Sequence, residues 1–139
     1  MESLLLAVER LLVAAAAGDL DARGIREATG VEPITRTSDW VLVDSCWVDL
    51  AEVQRLLDEA LAPATARVFG SVDGRDLVAH LTATDAVRTP EQAHARCLAA
   101  LPGYLNVLTP RHYVLCPTAP TDPTDPAAWP APLVTGTGR

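Results

Sequence analysis

The sequence contains no lysine, and all eleven basic residues are arginine. Schiff-base chemistry, the anchoring of pyridoxal phosphate and the phosphate-binding P-loop each need a lysine amine, so these chemistries are excluded. Asparagine is also scarce, whereas alanine, arginine, proline and glycine are abundant. This composition suggests a GC-rich genome, and we therefore expect a bacterial protein.

Long apolar runs and positive charge are scarce as well. No apolar stretch reaches the ~18 to 20 residues that a membrane helix needs. Acidic Glu2 and the internal Glu9 and Arg10 do not fit a cationic signal peptide. The formal net charge of −7 opposes nonspecific binding to nucleic acid, which depends on a basic surface. We expect an acidic, cytoplasmic protein that binds neither membrane nor nucleic acid.

Only three cysteines are present, at Cys46, Cys97 and Cys116. A disulfide framework normally uses an even and denser set of cysteines. In a reducing cytoplasm, these residues are most simply explained as small hydrophobic side chains of the core.

Four helices are predicted from the spacing of apolar residues and from capping residues. Two of them occupy 3–17 and 21–29, and a glycine follows each one. Asp49 and Thr89 each begin a further helix, because each is followed three residues later by Glu or Gln in the pattern of a capping box.

Five short strands are predicted, two of them around Asp73-Gly74, which is the strongest hairpin signal in the chain. The predicted strands are 40–44, 67–72, 75–82, 104–108 and 112–116. From residue 40 onward, this order matches the ferredoxin-like βαββαβ arrangement with one strand added. The predicted fold class is therefore α+β, with a ferredoxin-like sheet, two N-terminal helices and an extended C-terminal tail.

The domain prediction follows from the same segmentation. Residues 1–116 form a single α+β domain, with the N-terminal helices in 1–30 and the split-βαβ core in 40–116. Residues 117–139 are rich in proline and are expected to form an extended tail.

The predicted hairpin suggests which surface binds a partner. Its register places Arg67 opposite His80 and Phe69 opposite Val78. These four side chains share the face that does not pack against the helices. Together with Trp129 of the tail, they are the predicted partner-binding residues, because large aromatic side chains dominate protein interfaces.

A zinc site is an alternative interpretation of the histidines and cysteines. His94 and Cys97 form one pair, and His112 and Cys116 form another, at spacings that resemble those of zinc ligands. The order of ligand types differs from that of zinc fingers, however, and Cys97 falls on the inward side of its predicted helix. We therefore expect no metal and no cofactor, and keep a zinc-binding domain as an alternative.

Catalytic patterns are weak. Ser45 or Cys46 at a strand end could serve as a nucleophile, but no Gly-x-Ser-x-Gly elbow is present. A small-ligand sensor or a small enzyme of ferredoxin-like fold is a second alternative, with His80, Arg67 and Asp44 as its polar groups. Whether the chain is an enzyme stays open, and the weak patterns favour a noncatalytic function.

These observations predict a noncatalytic protein-interaction or assembly subunit of a bacterial multicomponent system. It is expected to bind a protein partner, or a second copy of itself, through its sheet face, its N-terminal helices and its tail.

Overall fold

A computed structural model describes residues 2–32, 35–71 and 73–138. Over these residues the protein is mixed α+β, with four α-helices and two sheets of two and four strands. The chain divides into two compact units, Met1–Arg36 and Thr37–Arg139. In the described part of the chain, every helix is too short or too polar to cross a membrane.

The first unit is a pair of helices, α1 (Glu2–Ala17) and α2 (Ala22–Thr29), as the apolar spacing predicts. Asp21 caps α2, because its side chain accepts a hydrogen bond of 2.7 Å from the Gly24 N–H. Gly30 ends the helix in the left-handed conformation, with φ of 67°, which glycine adopts without steric cost.

The second unit begins with a two-stranded hairpin of β1 (Trp40–Val43) and β2 (Cys46–Asp49). The two residues between the strands, Asp44 and Ser45, both have positive φ, at 46° and 68°. Positive φ at both central positions is required by the two-residue hairpin turn of type I′. The predicted strand 40–44 therefore pairs with the residues that follow it, and does not join the larger sheet.

Two capped helices follow the predicted pattern. Asp49 accepts a hydrogen bond of 3.0 Å from the Ala51 N–H and begins α3 (Leu50–Ala60). Thr89 accepts one of 3.4 Å from the Gln92 N–H and begins α4 (Pro90–Ala100). Both predicted helix starts are confirmed.

The larger sheet contains β3 (Ala66–Gly70), β4 (Leu77–Thr82), β5 (His112–Cys116) and β6 (Val134–Thr137), in the order β3-β4-β5-β6. Strands β4 and β5 are parallel and are connected through α4, whereas the other two pairings are antiparallel. The C-terminal segment that was predicted to be an extended tail thus supplies an edge strand of the sheet.

The hairpin register of β3 and β4 is confirmed, with Arg67 opposite His80 and Phe69 opposite Val78. Val72, which was expected to end the first of these strands, lies outside the described residues. The ferredoxin-like order is not confirmed, because residues 40–49 form a separate hairpin and the fourth strand of the sheet comes from the C-terminus.

The predicted strand 104–108 is absent from the described structure. Asn106 has a φ of 59°, which interrupts an extended backbone, and its carbonyl accepts a hydrogen bond of 3.0 Å from the Asp49 N–H. The Tyr104 ring packs 4.7 Å from the Arg55 guanidinium carbon, and the Tyr104 hydroxyl hydrogen-bonds Glu59. These contacts fix the segment as an irregular loop.

The core lies between the inner face of the larger sheet and helices α3 and α4. Apolar side chains alternate along the strands, so that every second residue faces the helices. The central members of the core are Val53, Leu57, Val68, Leu77, Ala79, Leu81, Ala93, Cys97, Tyr113 and Leu115.

Candidate functional site

Three aromatic side chains meet on the outer face of the sheet. The Phe69 and His80 ring centroids lie 5.1 Å apart, and those of His80 and Trp129 lie 5.5 Å apart. Both pairs are close to perpendicular, at 74° and 76°, which is a favourable geometry for aromatic rings. The structure therefore brings together three of the five predicted partner-binding residues, whereas Arg67 and Val78 lie half-buried beside them.

Trp129 reaches this face because the C-terminal segment folds back over the sheet. Its indole N–H donates a hydrogen bond of 3.1 Å to the Pro123 carbonyl, and only 8% of the residue is exposed. The Cys116 thiol donates to the Pro130 carbonyl at 3.4 Å, and the Leu133 N–H donates to the Leu115 carbonyl at 2.8 Å. Trp129 is thus already packed against its own chain.

His80 is the polar member of this aromatic cluster. Its Nδ1 atom is buried and has no hydrogen-bond partner among the residues described by the structure. Burial disfavours the charged imidazolium and lowers the pKa of His80 below its usual value of 6.5. The cluster therefore prefers a neutral imidazole.

The lowered pKa predicts how stability depends on pH. Below about pH 6.5 the unfolded chain binds a proton at His80 before the folded chain does, so the free energy of unfolding falls as pH falls. The contribution of neutral His80 to the free energy of unfolding is fully present above that pH, and it is lost as the pH falls through the lower pKa of the folded state. We expect the decline between pH 7 and pH 5 to be smaller in His80→Gln, which does not titrate. Chemical denaturation of both proteins at the two pH values measures this, and an identical decline would contradict the assignment.

A second feature is an open cavity of about 960 Å³ at the end of the sheet where β4 and β5 begin. It is bounded by the β1–β2 turn, by α4 and by the C-terminal residues. Its charged and imidazole side chains are Asp44, Arg75, Asp76, His94, Arg111 and His112. Its apolar wall consists of Val43, Leu77, Leu98 and Leu108.

Asp76 lies between an arginine and a histidine at the edge of this cavity. Its Oδ1 lies 3.3 Å from an Arg111 nitrogen, and its Oδ2 lies 3.9 Å from His112 Nε2. Arg111 and His112 lie next to Asp76 because β4 and β5 run parallel, with Val78 opposite His112. The parallel pairing therefore assembles this cluster from two distant segments of sequence.

His94 is positioned by a buried hydrogen-bonded pair. Its Nδ1 lies 3.1 Å from the Tyr113 hydroxyl, which also hydrogen-bonds the Cys97 thiol. Burial raises the pKa of Cys97 to about 11 and raises the pKa of Tyr113, so both groups are neutral at pH 7. Gly138 packs closely on His94, where a Cβ atom would overlap the ring. The His94 ring is thus fixed from two sides.

The four candidate zinc ligands are not brought together. His112 and Cys116 begin and end β5, which separates them by roughly 13 Å at ~3.3 Å per residue. In the described parts of the chain, no group of three or more histidine, cysteine, aspartate or glutamate side chains could hold a metal ion. The geometry gives the zinc hypothesis no support.

The residues considered for catalysis or ligand binding are separated as well. Ser45 and Cys46 are exposed at the β1–β2 turn, and no hydrogen bond joins either one to a histidine in the described residues. Asp44 lines the cavity, whereas His80 and Arg67 lie on the outer sheet face. Sequence reasoning missed Arg75, Asp76 and Arg111 as cavity residues, because no sequence signal revealed that β4 and β5 pair.

A third feature is the surface of α1 in the first unit. Leu4, Leu5, Val8 and Leu12 are between 46% and 70% exposed. At 3.6 residues per turn, these positions fall within about 100° of the helix circumference. We call these four residues the α1 stripe. A groove of about 560 Å³ beside α2 is lined by other α1 residues, including Leu6 and Val13, so the α1 stripe lies outside this groove.

No protein family, curated protein or solved structure matches this chain.

Proposed function

We propose that this chain is a noncatalytic assembly subunit of a bacterial multicomponent system and that it self-associates through the α1 stripe. The observation that carries the proposal is the exposure of Leu4, Leu5, Val8 and Leu12 along one side of a single helix. Contiguous exposed apolar surface on a soluble protein marks a site of association, because its burial removes apolar area from water.

The chemistry of the α1 stripe favours a second copy of the chain as its occupant. The stripe carries no charged side chain, so two copies can meet about a two-fold axis without placing like charges together. The neighbouring acidic and basic residues, Glu9 and Arg10, lie on the side of the groove beside α2. An apolar surface of this kind is complementary to itself.

The other surfaces predicted to bind a partner contribute less to this proposal. Trp129 covers His80 on the outer sheet face, so the aromatic cluster is partly occupied by the C-terminal segment. What remains of that face is half-buried and mixed in polarity. The sheet face and the C-terminal segment are therefore secondary contacts, and α1 is the principal one.

The proposal predicts that the double variant Leu5→Gln with Leu12→Gln dissociates the assembly. Each exposed leucine that is buried on association contributes about 1.5 to 3 kcal/mol, which is roughly tenfold or more in affinity. We therefore expect the dissociation constant to rise at least about a hundredfold. Sedimentation equilibrium over a range of concentrations measures the constants of both proteins.

The matched control is the double variant Leu42→Gln with Leu105→Gln. Both leucines are exposed, and both lie outside α1. Glutamine is a good helix former and carries no charge, so the α1 variant keeps its helix and its net charge. An equal rise of the dissociation constant in the two double variants would contradict a specific role for α1. If the partner is instead a protein of another sequence, the unmodified chain would be monomeric, which would contradict self-association.

A further inference from the structure

We propose that the cavity at the start of β4 and β5 binds a small organic anion with an apolar body. The cavity belongs entirely to the second unit, so this proposal does not depend on self-association through α1. Its volume of about 960 Å³ lies at the upper end of the range of small-molecule sites.

The unused hydrogen-bonding groups of the cavity favour an anion. One oxygen of Asp76 already faces the Arg111 guanidinium at 3.3 Å, and the other lies 3.9 Å from His112 Nε2. Arg111 meets Asp76 through one nitrogen, which leaves its other N–H groups for a ligand. Arg75 is exposed and forms no ion pair with the described residues, although its charge acts on the nearby Asp73 carboxylate. The guanidinium N–H groups of Arg75 and Arg111 that face no carboxylate therefore outnumber the carboxylate oxygens of Asp44 and Asp76 that face no arginine.

The two arginines come from adjacent positions of the sheet. Arg75 lies two residues before β4 begins, and Arg111 lies directly before β5. The backbone N–H of Arg111 donates a hydrogen bond of 3.2 Å to the Leu77 carbonyl. Guanidinium groups bind carboxylates and phosphates through paired N–H donors, and they stay charged at all physiological pH values. Both arginines line the cavity and are thus available to a carboxylate or phosphate group in it.

The apolar wall of the cavity accounts for the apolar body of the ligand. Leu98 and Leu108 line the cavity and are 48% and 38% exposed, which leaves their apolar surface in contact with water. Binding an apolar chain against them would remove that surface from water. His94 stands on the same side and is held through Nδ1 by Tyr113, so its Nε2 is the ring nitrogen that can meet a ligand.

The exposed thiol of Cys46 makes the proposal directly testable, because Cys46 lines the cavity whereas Cys97 and Cys116 are buried. In the full-length native protein, iodoacetamide is expected to modify one thiol, as intact mass shows. Octanoate serves as the probe and is expected to slow this modification at least tenfold at saturation. Octan-1-ol has the apolar chain without the carboxylate, and inorganic phosphate has an anionic group without the chain. Each compound should need at least about tenfold higher concentrations than octanoate to give the same protection of Cys46.

Variants assign the effect to the cavity. Arg75→Gln and Arg111→Gln should each raise the octanoate concentration for half-protection about tenfold, because each removes a charged hydrogen-bond donor. Arg96→Gln is the matched control, since Arg96 is an exposed residue of α4 outside the cavity lining. If Arg111→Gln fails to fold because Asp76 loses its partner, Arg75→Gln decides the question. Absence of protection by octanoate, or equal protection in Arg75→Gln and Arg96→Gln, would overturn the proposal.

Discussion

Trp129→Ala is expected to lower the free energy of unfolding of the second unit by about 3 to 5 kcal/mol, the usual cost of truncating a buried tryptophan. The side chain is almost fully buried, packs on His80 and hydrogen-bonds the Pro123 carbonyl. Its loss also exposes one side of His80 and detaches the segment that leads into β6. The amide protons of β6 should therefore lose protection against hydrogen exchange.

Fluorescence during denaturation with urea measures this effect. The three tryptophans, at positions 40, 47 and 129, all lie in the second unit, so two of them still report its unfolding in the variant. Leu133→Ala is the control, because Leu133 belongs to the same segment but is exposed, and it should change stability by less than about 0.5 kcal/mol. A loss below about 1 kcal/mol in Trp129→Ala would contradict the packing described above.

Leu81→Ala is expected to cost about 2 to 5 kcal/mol, because it removes a fully buried side chain and leaves a cavity among rigid neighbours. Leu81 lies on β4, a central strand, and its side chain belongs to the cluster between the sheet and helices α3 and α4. The surrounding side chains come from regular elements and cannot collapse easily into the space.

The same fluorescence measurement compares Leu81→Ala with Leu105→Ala. Leu105 is 80% exposed in the loop before β5, and its truncation should change stability by less than about 0.5 kcal/mol. Similar losses in the two variants would show that the burial assigned to Leu81 is wrong.

Local sequence signals predicted much of this fold. The capping boxes at Asp49 and Thr89 placed the starts of α3 and α4, because a cap is satisfied by the next few residues alone. Asp73-Gly74 identified the β3–β4 hairpin, and the period of two along its strands separated buried Leu81 from half-buried His80.

Pairings between distant segments could not be predicted in the same way. The hairpin turn at Asp44-Ser45 lacks the usual glycine, so β1 was assigned to the larger sheet. The parallel pairing of β4 with β5 spans the whole of α4, and the addition of β6 depends on backbone groups that carry no sequence signal. These two pairings give the sheet its final order.

The same difference between local and distant contacts applies to the candidate sites. His80 and Phe69 were predicted as partner-binding residues from the face of one local hairpin, and Trp129 was predicted because large aromatic side chains dominate interfaces. The cavity was not predicted, because Arg75 and Arg111 come to line the same cavity only through the pairing of β4 with β5. His94 was predicted as a candidate zinc ligand, whereas the contacts with Tyr113 and Gly138 that position it join segments distant in sequence.

The molar mass of the unmodified chain in solution tests the proposed self-association most directly. One chain has a mass of 14.7 kDa. Light scattering coupled to size exclusion should give twice this value at micromolar concentrations, with a shift toward one chain on dilution. A mass of 14.7 kDa at every concentration would contradict self-association through the α1 stripe.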